Sequence, residues 1–305
     1  MRRGKMSKPD IQVFAMRLED NIFGLHREFA GGIWQHGPYE SFVVHDPKRR
    51  QIHKPSVRDR LVHHAVVRVV EPLFERTFMH DVWSCRVGKG THAAVDRCMA
   101  WAWSLSRNNT RTAWALKCDI RKFFEQVDHS VLCGLLAETV CDPRAQGLLE
   151  GIIASFSSAP GKGLPLGNLT SQLCANVYLN PLDQYLKRDL GLRHVLRYGD
   201  DLILLHVDRS VLERALPAVS TFLEERLQLS LHPRKTILQP FHRGTDVLGF
   251  VCFPHYRVLR TKTRRRLLRR ISEKNATSYF GLLSHGRTRG VQAEARRVLA
   301  VRTAE

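Results

Sequence analysis

The stretch Arg197-Tyr198-Gly199-Asp200-Asp201-Leu202-Ile203-Leu204-Leu205 constrains this chain more than any other. Two adjacent carboxylates stand between the run His194-Val195-Leu196-Arg197-Tyr198 and the apolar run Leu202 to Leu205. Both flanks have strand composition, and the Gly-Asp pair between them predicts a tight hairpin turn. Ionised carboxylates beside apolar strands are costly unless something pairs with them. Where aspartates cluster, the usual partner is a hard divalent cation with oxygen ligands, such as magnesium. A bare Gly-Asp-Asp is more often an ordinary Asp-rich turn. Tyr198 and the apolar flanks favour a metal site, and the rest of the chain has to decide.

The chain has 305 residues, of which 43% are hydrophobic, enough for a sizeable core in one multi-lobed unit or two domains. Lys and Arg number 48 against 29 Asp and Glu, a net charge of +19, which points to a polyanionic partner. No apolar run approaches the roughly 18–20 residues that span a bilayer. The basic N-terminus is not followed by the apolar core of a signal peptide. The seven cysteines (Cys85, Cys98, Cys118, Cys133, Cys141, Cys174 and Cys252) include no Cys-x-x-Cys pair. Neither a zinc site nor a disulfide framework is indicated, and reduced thiols in a cytoplasmic protein are expected.

Along the chain, Asp10 to Phe29 reads as a helix broken by Gly31-Gly32. Tyr39 to His45 reads as a strand, Asp46-Pro47-Lys48-Arg49-Arg50 as a turn carrying three cations, and a short second strand starts at Gln51. Alone, such a hairpin is usually a solvated edge; it could equally hold a phosphate chain. Ser56-Val57-Arg58-Asp59 fits a capping box opening a long helix, with Val57, Leu61, Ala65, Val69 and Leu73 expected on one buried stripe. His63 and His64 are neighbours that point different ways, so they do not make a metal pair. The loop with Arg86, Lys89, Gly90 and Thr91 lacks the Gly-x4-Gly-Lys-Ser/Thr spacing of nucleotide hydrolases.

Thr112 to Cys118 reads as a strand ending at Asp119, followed by a helix from about Ser130 to Glu138. Taken by itself, Asp119 would be a helix cap. The loop Gly161-Lys162-Gly163-Leu164-Pro165-Leu166-Gly167-Asn168-Leu169-Thr170-Ser171-Gln172 feeds a helix N-terminus, which suits contact with a polyanion or a base. Pro181 is expected to kink that helix. Leu212 to Leu227 reads as an amphipathic helix, and Asp246 to Phe253 as a strand pair. From Arg260 the chain turns strongly basic, with Lys262, Arg264, Arg265, Arg266, Arg269 and Arg270. A solvated charged helix would explain that run, but such a density of Arg better suits a phosphate backbone.

Three carboxylates stand out: Asp119 at a strand end, and Asp200 and Asp201 at a hairpin tip. Nucleotidyl transfer needs an activated 3′-hydroxyl and neutralised phosphates, and two divalent ions about 3.5–4 Å apart supply both. Asp119 and Asp200 are the natural bridging pair, with Asp201 more peripheral.

The order of basic hairpin, Asp119 segment, glycine loop, Tyr198-Gly199-Asp200-Asp201, Lys235 and Val247-Leu248-Gly249-Phe250 resembles the motif series of reverse transcriptases over roughly residues 38–285. The form Leu166-Gly167-Asn168-Leu169-Thr170-Ser171-Gln172 is similar to the reverse transcriptases of diversity-generating retroelements. So are Tyr39 to Val44, Asp59 to Ala65 and Gly88 to Ala93. That group commonly has Tyr-Met-Asp-Asp where this chain has Gly199, which leaves the carboxylates intact.

The resemblance implies an α+β, right-hand polymerase with fingers, an antiparallel palm sheet and a short helical thumb. Its parts would be an N-terminal helical extension (1–35), fingers (36–110), palm (111–255, with an insertion around 130–165) and a basic thumb segment (256–305). It makes Asp119, Asp200 and Asp201 catalytic, and Asp119, Ile120, Asp200 and Asp201 the holders of two Mg2+ ions, with Mn2+ as a substitute. Lys48, Arg50, Phe124, Leu166, Gln172 and Lys235 would bind the nucleotide, Phe124 excluding a ribose 2′-hydroxyl by bulk. Leu248, Gly249 and Phe250 would grip the primer. The implied partners are template RNA, a cDNA or RNA primer, deoxynucleotides and a small basic accessory oligomer, with no membrane. The implied activity is RNA-directed DNA synthesis, error-prone opposite adenine, with Leu166 in place of the usual Gln loosening selection. The chain runs about fifty residues past the primer-grip match, so no ribonuclease H, integrase or endonuclease domain is expected. Two other readings stay open: a reverse transcriptase of another retroelement or of phage defence, and an inactive RNA-binding scaffold.

Overall fold

The computed structural model describes residues 7–45 and 48–304. Asp46 and Pro47 of the expected basic turn lie outside the described residues. In chain order the elements begin with α1 (Pro9–Met16), α2 (Leu18–Ala30), β1 (Glu40–Val44), β2 (Arg50–Lys54), α3 (Val57–Glu75) and α4 (Thr91–Leu105). Next come β3 (Trp114–Asp119), α5 (Phe123–Gln126), α6 (His129–Ala137), α7 (Pro143–Ala154), α8 (Leu169–Gln184), β4 (His194–Tyr198) and β5 (Asp201–His206). The remainder is α9 (Arg209–Leu227), β6 (Ile237–Pro240), β7 (Thr245–Val247), β8 (Phe250–Cys252), β9 (Arg257–Leu259), α10 (Thr261–Arg270), α11 (Glu273–Leu283) and α12 (Arg289–Ala304). This is the expected α+β mixture of helices and antiparallel sheet.

The chain forms two compact units. The first takes residues up to Met79, then Arg121–Tyr185 and Thr221–Ser230; the second takes His80–Ile120, Leu186–Ser220 and Leu231 onward.

The first unit is mainly helical, with α3 against α8 and α6 against both α7 and α8, beside the β1–β2 hairpin. The Ser56 hydroxyl caps α3 by accepting from the Asp59 N–H at 3.1 Å, as the capping pattern predicts. The buried face of α3 differs from the expected stripe. Val62, His63, Val66, Val67, Val70 and Phe74 are buried, whereas Ala65, Val69 and Leu73 are exposed. A strict four-residue spacing advances each residue by roughly 40° beyond a full turn, so five such residues wind some 160° around the helix. A buried face instead alternates steps of three and four. The expected Asp10–Phe29 helix is two helices, because Arg17 leaves helical geometry at φ −124°, ψ 46°. The Asn21 side chain donates to the Phe14 carbonyl at 3.0 Å, satisfying an acceptor that the break leaves open.

The second unit holds a four-stranded antiparallel sheet in the order β4-β5-β3-β6. Its central strands are apolar and fully buried from Leu202 to Leu205 and at Leu116 and Cys118. Helix α4 packs on β4 and β5. A second sheet, β7-β8-β9, leads into α10 to α12. One core joins these parts, from Val95, Trp101 and Leu196 through Phe241 and Phe250 to Leu267, Leu283 and Ala295.

Candidate active site

The second unit assembles the three aspartates. Gly199 has φ +61° and Asp200 does not share that sign, so the two-residue turn between β4 and β5 places glycine where a left-handed residue is needed. The strands close behind it with Tyr198 opposite Asp201. On the other side of β5, Asp119 at the end of β3 is the register partner of Asp201. Directly opposed residues of antiparallel strands share a face, so these two carboxylates share one. Asp119 therefore ends a strand and is not a helix cap. Ile120 N–H donates to the Asp200 carbonyl at 3.3 Å, and His232 N–H to the Asp119 carbonyl at 2.7 Å. The Ile120 side chain is buried and apolar. Only its main-chain carbonyl could serve an ion.

Several residues that sequence reasoning passed over hold this hairpin. Asp81 to Ser84 run alongside it: Arg197 N–H donates to the Asp81 carbonyl at 3.0 Å, and Trp83 N–H to the Arg197 carbonyl at 2.8 Å. Gly199 N–H donates to the Ser84 hydroxyl at 2.9 Å, while the buried Arg197 guanidinium donates to the Gly199 carbonyl at 3.2 Å. Thr91, at the start of α4, donates its hydroxyl to that of Tyr198 at 3.0 Å. Only Thr91 left a trace in the sequence, within the Gly88 to Ala93 segment.

Burial and the charge of Asp201, with a smaller contribution from Asp119, raise the Asp200 carboxyl above its ordinary range, and Lys235 opposes the rise. Lys235 Nζ lies 2.7 Å from Asp119 Oδ2, and Lys117 Nζ lies 3.5 Å from Asp201 Oδ1. Among the described residues no three Asp, Glu, His or Cys side chains form a ready-made metal cage. The donor set nonetheless fits a hard divalent cation: three carboxylates share this end of the sheet, and a cation bound there would displace the two ammonium groups from them.

The expected nucleotide-binding residues fall in different places. In the first unit a cavity of about 560 Å³ is lined by Arg50, Phe124 and Leu166, and also by Arg49, His53 and Phe156. Gly167, at φ +105°, allows this loop to approach β2, since a Cβ there would stand 3.0 Å from the Ile52 side chain. The Leu166 carbonyl accepts from His53 N–H at 3.1 Å. Lys48 and Gln172 are exposed and are not part of that lining. Lys235 belongs to the second unit, beside Asp119. Leu248 and Gly249 form the β7–β8 turn, both with positive φ (+48° and +97°), whereas Phe250 is core, 1% exposed.

Residues 45–252, more than half of the chain and including all three aspartates, match the family described as reverse transcriptase (RNA-dependent DNA polymerase). The chain belongs to that family. It is 24% identical to Protein YkfC of Escherichia coli over 88% of this chain and 80% of that protein. It is 26% identical to the group II intron-encoded protein LtrA of Lactococcus lactis over 45% of this chain and 23% of that protein. Among solved structures, telomerase of Candida tropicalis bound to a fragment of telomeric RNA aligns with a TM-score of 0.59 at 11% identity. That alignment covers 87% of this chain and 52% of telomerase, so the two share the fold.

Proposed function

We propose that this protein is an RNA-directed DNA polymerase, copying an RNA template onto a primer through Asp119, Asp200 and Asp201. The observation that carries the reading is the register that faces Asp119 with Asp201 and sets Asp200 in the turn beside them. Bound there, magnesium would activate the primer hydroxyl and neutralise developing phosphate charge. Asp119 and Asp200 would hold it, with the Ile120 carbonyl and Asp201 as further oxygen donors. Arg50 and Phe124 serve the incoming deoxynucleotide, with Lys48, Gln172 and Lys235 in supporting roles, and the β7–β8 turn serves the primer. Residues 36–110 act as fingers after a helical extension, 111–255 as palm, and 256–305 as a basic thumb that holds the duplex. No helix among the described residues is long and apolar enough to cross a membrane.

Within this activity we assign the chain to error-prone copying opposite adenine, as in a diversity-generating retroelement, with a small basic accessory oligomer as partner. The support is Leu166, an apolar side chain lining the cavity with Arg50 and Phe124. A second reading, an intron-type enzyme with accurate copying, is favoured by the similarity to the group II intron-encoded LtrA. The test is cDNA synthesis on mixed-sequence RNA with magnesium, sequenced, beside a double variant Asp200→Ala, Asp201→Ala. Carboxylate-dependent product with errors concentrated opposite adenine is the expected result. Accurate product selects the intron-type reading, and no product from either protein, partner included, sinks the polymerase.

A further inference from the structure

Lys117 sits two residues before Asp119 on β3, so its side chain emerges on the same face of the sheet. Its register partner on β5 is Ile203, which puts it diagonal to Asp201. The side chain is 15% exposed, and its ammonium touches two carboxylates, Asp201 Oδ1 at 3.5 Å and Asp246 Oδ1 at 3.6 Å. It also donates to the Asp246 carbonyl at 3.2 Å. Asp246 lies on β7, directly before Val247 and the turn Leu248-Gly249. Arg260 completes the chain of contacts: its guanidinium pairs with Asp246, and its N–H donates to the Gly249 carbonyl at 3.1 Å.

We infer that Lys117 is a positioning residue with two linked effects: it divides Asp201 between itself and the metal, and it ties that carboxylate to the β7–β8 hairpin. This rests on the polymerase reading for the identity of the metal and of the primer. A cation that is mostly buried cannot leave its carboxylates without finding others. Lys117 has two, and whichever carboxylate binds it less is the freer one. Asp201 would thus be shared between the metal and an ammonium that also steadies Asp246, as Asp119 would be between the metal and Lys235. A metal drawing on Asp201 pushes Lys117 toward Asp246, whose main chain leads into the turn that would meet the primer end. Metal and primer are then coupled through a single side chain. Nothing in the local sequence signals this, since Lys117 and Asp246 are 129 residues apart.

The experiment uses two binding readouts that do not need turnover. The first is Mn2+ binding followed by electron paramagnetic resonance, without nucleotide. The second is binding of a fluorescent RNA–DNA primer–template by anisotropy, with and without Mn2+. Lys117→Met keeps length and removes charge, and should tighten Mn2+ about three- to tenfold, as loss of one partly screened charge does. In an Asp201→Asn background the same change should leave Mn2+ affinity unaltered, because the effect passes through Asp201. Mn2+ should tighten primer–template binding in the wild type, and less so in Lys117→Met and Asp246→Asn, with the double variant no worse than either single one. Lys117→Arg should recover the primer effect, and Lys117→Gln, which also removes the charge, replaces Lys117→Met should the latter fail to fold in a melting control. Equal Mn2+ tightening in both backgrounds, or none in either, overturns the division of Asp201. Additive primer effects overturn the tie to the hairpin. Failure of the polymerase reading appears separately, as absence of cDNA from the wild type, and leaves both binding results standing.

Discussion

Lys235 Nζ stands 2.7 Å from Asp119 Oδ2, closer than the 3.5 Å between Lys117 Nζ and Asp201 Oδ1. The lysine is 45% exposed, and a pair of that kind contributes at most about 1 kcal/mol to stability. On the polymerase reading proposed above, its larger effect belongs to chemistry, where the ammonium would face phosphate oxygens. Lys235→Met should therefore leave the melting temperature within a few degrees of wild type and lower nucleotide incorporation about 100-fold. Single-nucleotide primer extension over a range of deoxynucleotide concentrations checks this. A large drop in melting temperature with normal incorporation would make the pair a structural clamp instead.

The Thr91 hydroxyl donates to the Tyr198 hydroxyl at 3.0 Å, so the start of α4 supports the strand that leads into the aspartates. Thr91→Val keeps the shape and removes the donor. It should cost about 1 kcal/mol in urea unfolding, as should Tyr198→Phe, and the double variant should cost less than their sum. Thr91→Ser should behave as wild type. Strict additivity of the two single changes would mean that the hydrogen bond carries no stability.

At Gly199 the backbone has φ +61°, and a Cβ built there meets nothing within 4 Å. The cost of a side chain at this position is then conformational and not steric, roughly 1–2 kcal/mol for any ordinary residue. Gly199→Ala and Gly199→Met should lower the unfolding midpoint by the same amount. That equality explains how a box with methionine and this one with glycine can share a turn. A markedly greater loss with methionine would point to crowding that the turn does not show.

The hairpin, the strand ending at Asp119 and the glycine loop were all legible in the sequence, because turn chemistry and apolar runs are local signals. The strand pair over Asp246 to Phe253 was legible for the same reason, as a short apolar stretch interrupted by a glycine. The buried face of α3 was misread, since Val57, Leu61, Ala65, Val69 and Leu73 look periodic yet spiral off any single face. The supports of the site were not legible at all. Ser84 reaches Gly199 across 115 residues, and the sequence around Ser84 contains nothing that requires that partner. His63 was read only as a neighbour of His64 that makes no metal pair with it, and its burial became apparent only once α8 was packed on α3.

That burial has a consequence for pH. His36 Nδ1 faces the Gly37 carbonyl at 2.5 Å and donates to it, which leaves His36 Nε2 to accept from His63 Nε2–H at 3.0 Å. His63 Nδ1 in turn accepts from the Thr170 hydroxyl at 2.7 Å. The buried His63 ring is neutral in this chain of bonds. Burial pushes it down from 6.5 to about 4. Between those values the unfolded chain binds a proton that the folded one refuses, so stability is full above about pH 6.5 and falls as pH drops toward 4. The loss from this group amounts to roughly 3 kcal/mol. Urea unfolding from pH 4 to 7 should show a steeper slope in the wild type than in His63→Gln; identical slopes would remove His63 as the cause.

Leu166 places an apolar side chain in the cavity that Arg49, Arg50 and Phe124 line, while its carbonyl is held by His53 N–H at 3.1 Å. The main chain is thus fixed independently of the side chain, and Leu166→Gln should change the contacts offered to a ligand without moving the loop. Glutamine brings a donor and an acceptor to a half-buried position, at a stability cost of about 1 kcal/mol or less. On the proposed reading, in which this cavity takes the incoming nucleotide, an apolar side chain makes no hydrogen bond that a mismatched nucleotide would forfeit, so correct and incorrect pairs would bind with similar ease. An amide does make one, and losing it costs about 1 kcal/mol or more. Errors opposite adenine should therefore fall about five- to tenfold in Leu166→Gln, read by sequencing cDNA made by both proteins on one template. An unchanged error rate, with cDNA yield intact, would separate Leu166 from fidelity and return the choice of base to other residues of the cavity.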